Sequence, residues 1–216
     1  MAVLAIIHNA IYMKDFWNSR YSGSDYAYGE ESNEYLRQKL SGLKPGRILF
    51  PAEGEGRNAV YAATLGWDVT AFDISAEGKK KADALAAKRD VSIDYQIGSM
   101  GEVAFPEVSF DALVLVFAHF HESQRKSYHQ KLLSFLRPGG YIILEAFSKR
   151  HIAFNSVNEQ VGGPKDIAML YDIPELADDF RDCTHLEMYE AETDLREGIY
   201  HVGRASVVRY FGMKHS

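Results

Sequence analysis

The amino-acid sequence predicts an α/β fold built on a doubly wound, mainly parallel sheet. Strand-like and helix-like segments alternate from Arg47 to Phe147, the order that right-handed βαβ units impose. A glycine-bearing turn, "AEGEGR", separates the first of these strands from its helix. Two long β-rich runs follow near the C-terminus and read as an antiparallel pair. The 216 residues suffice for one full hydrophobic core and are few for two, so a single domain over 1–216 is expected.

Each element follows from its local pattern. "RILF" is a short apolar strand, and "RNAVYAATLG" is a helix that stops at Gly66. "DVTAFDI" is β-branched and alternating, and Ser75 can cap a helix through "EGKKKADALAAKR". "SIDYQI" is the third strand, and "FDALVLVFA" is a continuous apolar run of the kind buried on both faces. In "SQRKSYHQKLLSFL", Tyr128, Leu132, Leu133 and Leu136 recur at helical spacing, and "RPGG" ends that helix before the strand "YIILEAF". "HIAFNSVNEQVGGP" is loop-like, and "PKDIAMLY" and "PELADDF" read as two short helices. The final runs, "THLEMYEAETDL" and "GIYHVGRASVVRYFGMK", are separated by "REG".

Composition narrows the function. A net charge of -6 with no long basic run argues against a nucleic-acid partner. The opening "MAVLAIIHNAIYMK" is too short to span a bilayer and lacks a basic lead, so no membrane partner is expected. Met13 is expected to open the folded part, because the aromatic-rich "DFWNSRY" begins just after it. Cys183 is the only cysteine and cannot form an internal disulfide, which fits a reducing cytoplasm. No His/Cys spacing supports a metal site, and no G-x-S-x-G elbow supports Ser-His-Asp hydrolysis. A monomer or homodimer is expected.

In doubly wound sheets, ligands sit at the carboxyl ends of the strands near the switch point. "AEGEGR" holds that position, and Gly54 and Gly56 allow close backbone approach. Asp73, at the end of the second strand, can accept hydrogen bonds from a ribose diol. The spacing Ala52-x-Gly54-x-Gly56, with Ala59 where a third glycine would stand, departs from the dinucleotide fingerprint. Glu53 and Glu55 would also repel a pyrophosphate. S-adenosylmethionine suits the turn better, since it has no phosphate and carries an ammonium and a sulfonium.

The phrases "FPAEGEGRNAVYAATLGWDVTAFDIS", "LRPGGYIILEAF" and "EGIYHVGRASVVRYFGMK" resemble the class I S-adenosylmethionine-dependent methyltransferases. Within them, the likeness is to the tellurite-resistance branch related to thiopurine methyltransferases. The N-terminal "FWNSRYSGSDYAYGEESNEYL" is similar to that branch's lid, and the resemblance runs from about Phe16 to Lys214. It implies a Rossmann-like, seven-stranded sheet whose C-terminal strand enters antiparallel. It divides the domain into an N-terminal segment and lid (1–40), a cofactor-binding core (46–147), and a substrate-side loop with the C-terminal hairpin (148–216).

It also places Glu53, Gly54 and Gly56 along the methionine part of S-adenosylmethionine, with S-adenosylhomocysteine as product. Asp73 and Ile74 would take the ribose and adenine, Ser99 and Met100 would flank the adenine, and Phe117, Ala118 and His119 would line the cavity. Tyr21, Tyr28 and Asn33 would close the lid. Many members carry an acid at the position of Phe50 and glycine at that of Ala52, which leaves the ammonium to Glu53 and backbone carbonyls.

The chain lacks the Asp/Asn-Pro-Pro-aromatic run of exocyclic-amine DNA methylases after its fourth strand, and also lacks an inserted recognition domain. A small-molecule acceptor is therefore expected. A tellurite- or selenite-type oxyanion or a thiol needs little base help but needs cations to guide it. His119, Arg125 and His201 are the catalytic candidates, with His121, Arg150, His151 and Arg204 near them and the loop "EQVGGP" beside the mouth. His121 can equally cap its helix. The competing readings are a nicotinamide-dependent oxidoreductase and a non-catalytic S-adenosylmethionine-binding protein.

Overall fold

The computed structural model describes residues 2–215, with side chains from Tyr12 onward. Helices α1 (Ala2–Tyr21) and α2 (Glu34–Leu40) precede the sheet. The core then runs β1 (Arg47–Pro51), α3 (Arg57–Thr64), β2 (Asp68–Asp73), α4 (Ala76–Lys88), β3 (Asp94–Ile97), β4 (Phe110–Val116), α5 (Glu122–Phe135) and β5 (Leu136–Phe147). Short helical turns and α6 (Ile152–Asn155) lead to α7 (Ile173–Asp179), β6 (Cys183–Glu197) and β7 (His201–Lys214). The seven strands form one sheet in the order β3-β2-β1-β4-β5-β7-β6. β1 to β5 are mutually parallel, and β7 pairs antiparallel with both β5 and β6. The expected Rossmann-like fold is the observed one.

Alternation along the central strands builds a core on each face. Leu49, Leu113, Leu115, Ile142 and Leu144 pack on the side of α5 and α7. Ile48, Phe50, Ala112, Val114 and Ile143 pack on the other side, against α2 and α3. The switch in strand order between β1 and β4 leaves the carboxyl ends of β1, β2, β4 and β5 along one edge.

Two local expectations differ from the structure, and a third falls outside the described residues. "RPGG" does not merely end a helix, because Leu136 already pairs with Phe110 and the register shifts before Tyr141 meets Ala112. The hairpin turn falls on Gly198–Tyr200, two residues later than "REG", and Glu197 still pairs with His201. Gly198 takes φ +62°, and a Cβ there would lie 2.5 Å from the Ala27 carbonyl oxygen, so only glycine turns the chain at this point. α1 passes Met13 without a break, and the packing of residues before Tyr12, on which a start at Met13 depends, lies outside the described residues. Among the described residues no helix is long and apolar enough to cross a membrane.

Candidate active site

The turn after β1 is held by its own acids. Glu53 Oε1 accepts the N–H groups of Asn58 (2.9 Å) and Ala59 (2.8 Å), taking two donors that the first turn of α3 leaves free. Burial raises the Glu53 carboxyl to about 7, against those bonds and Arg57. Glu55 is buried too, where it accepts Lys81 Nζ (2.7 Å) and the Tyr28 N–H (3.4 Å) and so ties the turn to the N-terminal segment. Ala52 sits at φ +52°, the left-handed region where glycine is unstrained. Gly54 also needs its conformation, at φ +63°, and a Cβ there would lie 2.6 Å from the Tyr21 hydroxyl. Gly56 is under the same two constraints, at φ +84° and with a Cβ that would collide with Ala82 of α4 at 2.5 Å.

Asp73 ends β2 with its carboxylate buried. Oδ2 accepts the Gly54 N–H (3.0 Å) and Oδ1 the Ser75 N–H (2.9 Å), while Ser75 itself caps α4 through Gly78. Burial lifts the Asp73 carboxyl to about 6, and among the described residues no cation pairs with it. A buried acid without a cation, beside a second raised acid and a bare glycine, fits an adenosyl ligand with a cationic tail. Ile74 is partly buried next to Asp73, and Ser99 is held by Glu102 (2.9 Å). Met100 instead packs in the core against Phe72 and Val103.

The N-terminal segment covers this turn. Tyr21 is buried against Gly54 and Gly78, and Trp17 stacks on it at 5.4 Å. Asn18 Oδ1 accepts the Ser75 hydroxyl at 2.8 Å. Tyr28 packs on His201 at 4.4 Å, and the Ala27 carbonyl accepts the Ile199 N–H at 2.9 Å. Asn33 caps α2 through the Leu36 N–H and sends its amide to Glu145 (2.6 Å) and Glu197 (3.2 Å).

At the ends of β4 and β5, Phe117, His119, Phe147, His151 and His201 form one cluster. Phe147 lies 4.6 Å from Phe117, 5.6 Å from His119, 4.0 Å from His151 and 5.3 Å from His201 between ring centres. Phe117 adopts φ +51°, a strained conformation for an aromatic residue. Ala118 is buried beneath, its carbonyl accepting the Tyr171 hydroxyl at 3.0 Å. His119 is not a cation: burial drives it down to about 3, its Nδ1 donates to the Met169 carbonyl (2.8 Å) and its Nε2 accepts the Phe147 N–H (3.3 Å).

The expected group of guiding cations is not assembled. Arg125 is buried, donates to the Leu170 carbonyl (2.8 Å) and Glu175 (2.6 Å), and lies over the Tyr171 ring. Arg150 and Arg204 are exposed and face Glu192 of β6. His121 caps α5, accepting the Ser123 N–H at 3.2 Å. These arginines fold onto acids that sequence spacing does not bring near them.

Sequence reasoning missed Arg57, Glu145, Phe147, Glu197 and Arg209. Arg57 donates to Glu197 at 2.8 Å, and both are largely buried. His201 Nδ1 lies 3.0 Å from the same Glu197 carboxylate. Burial alone would raise the Glu197 carboxyl, but Arg57 and His201 hold it at about 2. Glu145 accepts Arg209 and Asn33. The one available signal was topological, since Phe147 closes the last parallel strand at its carboxyl end. A cavity of about 360 Å³ lies beside this network, between residues 28–34 and the hairpin, with Glu145, Glu197 and Arg209 in its walls. Among the described residues no group of three or more His, Cys, Asp or Glu could hold a metal ion.

A family model described as "Methyltransferase domain" matches residues 48–140. The demethylmenaquinone methyltransferase of Renibacterium salmoninarum is 31% identical over 108 residues, 50% of this chain and 44% of that protein. A ubiquinone biosynthesis O-methyltransferase of Xanthomonas campestris is 30% identical over 122 residues, 56% of this chain and 51% of that protein. The chain thus spans about half the length of these relatives. Among solved structures, a protein from work on converting a disulfide into a thioacetal in echinomycin biosynthesis superposes with TM-score 0.75 at 18% identity, covering 94% of this chain and 92% of that one. TehB of Haemophilus influenzae gives 0.68 at 18% identity, over 93% of this chain and 66% of that one. A SAM-dependent methyltransferase of Anabaena variabilis gives 0.68 at 15% identity, over 96% and 95%. The chain has the fold of the S-adenosylmethionine-dependent methyltransferases, and residues 48–140 carry the match to their domain.

Proposed function

We propose that the protein is a methyltransferase that moves the methyl group of S-adenosylmethionine to a small molecule. The observation that carries this is Asp73, a buried carboxylate with no cation among the described residues, beside Glu53 and the bare Gly54. Asp73 would take the ribose diol and Glu53 the ammonium, with Ile74, Ser99 and Phe117 bordering the adenosyl group and Tyr21, Tyr28 and Asn33 acting in the lid. The sulfonium supplies an electrophilic methyl, and positioning by the chain does most of the rest. The domain match at residues 48–140 supports the same reading. Nothing in the described site favours hydride transfer or inert binding over it.

The likeness to TehB stands at 18% identity and concerns the fold, so tellurite is not preferred on that ground. The site argues against an oxyanion: Arg125 is bound to Glu175, and His119 is neutral. An acceptor with an aromatic or thiol group suits the walls of Phe117, Phe147 and Tyr28 better. Incubation with methyl-labelled S-adenosylmethionine and catechol, benzenethiol or tellurite tests this. Labelled organic product is expected from an organic acceptor. Tellurite as the one substrate methylated would contradict the acceptor reading.

A further inference from the structure

We propose that His201, oriented by Glu197, is the general base of the reaction, and that the acceptor carries its nucleophile as a hydroxyl on an aromatic ring. The proposal rests on the methyltransferase reading and extends it to acceptor class.

Three histidines surround Phe147, and they differ in what their nitrogens do. His119 uses both, on Met169 and Phe147. His151 uses both, its Nε2 on the Gly162 carbonyl (3.1 Å) and its Nδ1 on the Ser206 N–H (3.3 Å). His201 uses only Nδ1, on Glu197, and its Nε2 has no hydrogen-bond partner among the described residues. A carboxylate at Nδ1 fixes the proton there, which leaves the lone pair on Nε2. Glu197 is itself held by Arg57 (2.8 Å) and Asn33 (3.2 Å), so the pair is anchored to α3 and to the lid.

The surroundings of Nε2 indicate what it meets. Tyr28 and Phe117 lie 4.4 and 4.5 Å from the His201 ring, an aromatic wall suited to an aromatic acceptor. On the other side is Gly162, at φ +74°, where a Cβ would stand 3.5 Å from Nε2. Any side chain at that position would crowd the space beside the lone pair. Gly163, at φ +83°, clears His151 and Phe147 in the same way.

The charged and titratable groups facing His201 are Arg20, Tyr28, Arg57, His119, His151 and Glu197. Burial lowers the imidazole below its ordinary value, with Glu197 opposing and Arg57 and Arg20 assisting, so it is neutral near pH 7. In the transfer, the acceptor hydroxyl gives its proton to Nε2 as its oxygen bonds to the methyl carbon of S-adenosylmethionine. The carbon–sulfur bond breaks with its electron pair on sulfur, leaving S-adenosylhomocysteine. The imidazolium, balanced by Glu197, then returns the proton to water. Glu197 acts through His201 and is a positioning residue.

The test compares catechol, which must lose a proton, with benzenethiol, which ionises near neutral pH, using the full chain and labelled S-adenosylmethionine. His201→Gln should reduce catechol methylation about a hundredfold or more, and the catechol-to-benzenethiol ratio should fall at least tenfold. Glu197→Gln should lower catechol turnover and move the acid limb of its pH profile. Equal losses on both acceptors, or a parent protein that methylates benzenethiol and not catechol, would overturn the proposal. So would methylation of neither probe by a parent that binds S-adenosylhomocysteine. A reading independent of turnover is the ¹⁵N spectrum of the labelled imidazoles in the parent chain. His201 should be the neutral Nδ1–H tautomer at pH 7, whereas a charged ring or the Nε2–H tautomer would overturn the assignment. Failure of the parent to bind S-adenosylhomocysteine would count against the methyltransferase reading instead.

Discussion

Asp73 and Glu53 carry charge that the fold buries without fully compensating, and their behaviour with pH follows. Their carboxyls stand near 6 and 7, against ordinary values of 3.8 and 4.5. Both are raised by burial, so between about pH 4 and 7 the native chain holds protons that the unfolded chain releases. Stability without ligand is then greatest at the acid end and falls as pH rises through that window. A cationic ligand prefers the ionised carboxylates, so its affinity should rise over the same window, with protons released on binding. Titration calorimetry of S-adenosylmethionine near pH 6.5, in two buffers of different ionisation enthalpy, should show that release. Equal heats in both buffers would contradict it. Replacing Asp73 with Asn should weaken S-adenosylhomocysteine binding about ten- to a hundredfold, the loss of a charge-assisted contact of about 1.5–3 kcal/mol. Arg125 makes the opposite case. Because its guanidinium is buried on Glu175 and Leu170, Arg125→Ala should cost about 2–4 kcal/mol of stability. In urea unfolding the midpoint should drop, while S-adenosylhomocysteine affinity of the folded variant stays near the parent's.

At the level of elements, the Arg57–Glu197 pair fastens α3 to the end of β6. Arg57→Ala would leave the Glu197 carboxylate buried with only the neutral His201 ring and the Asn33 amide beside it, and should destabilise the fold by about 3–5 kcal/mol. Thermal unfolding would show it, and an unchanged midpoint would mean the pair is not formed in solution. This element-to-element link also marks the limit of what the sequence disclosed. The strands, their order of appearance, the turn after β1 and Asp73 were legible because each rests on a local pattern: β-branched runs, a capping Ser75, glycines at a strand end. Arg57 and Glu197 were not, since they are 140 positions apart and meet only through the sheet. His201 was found as a candidate, but with the wrong character. Spacing marks a histidine near a strand end, while burial and Glu197 decide that its ring is neutral and not a guiding cation. Arg125 was misplaced for the same reason, because its partner Glu175 lies on α7.

Over the whole molecule, the domain match at residues 48–140 takes in the turn after β1 and Asp73 and stops before Phe147. Phe147, His151, Gly162, Glu197 and His201 all follow it, and Tyr21, Tyr28 and Asn33 precede it. The N-terminal segment and the hairpin meet through Ala27 and Ile199, so under the proposed function acceptor choice would belong to parts of the chain outside the matched domain. The most direct test of the central claim is calorimetric titration of the full-length chain with S-adenosylhomocysteine, run beside an identical titration with NADH. One site per chain for S-adenosylhomocysteine, weakened about tenfold or more by Asp73→Asn and not displaced by NADH, is the expected result. Tight NADH binding, with no measurable heat from S-adenosylhomocysteine, would contradict it.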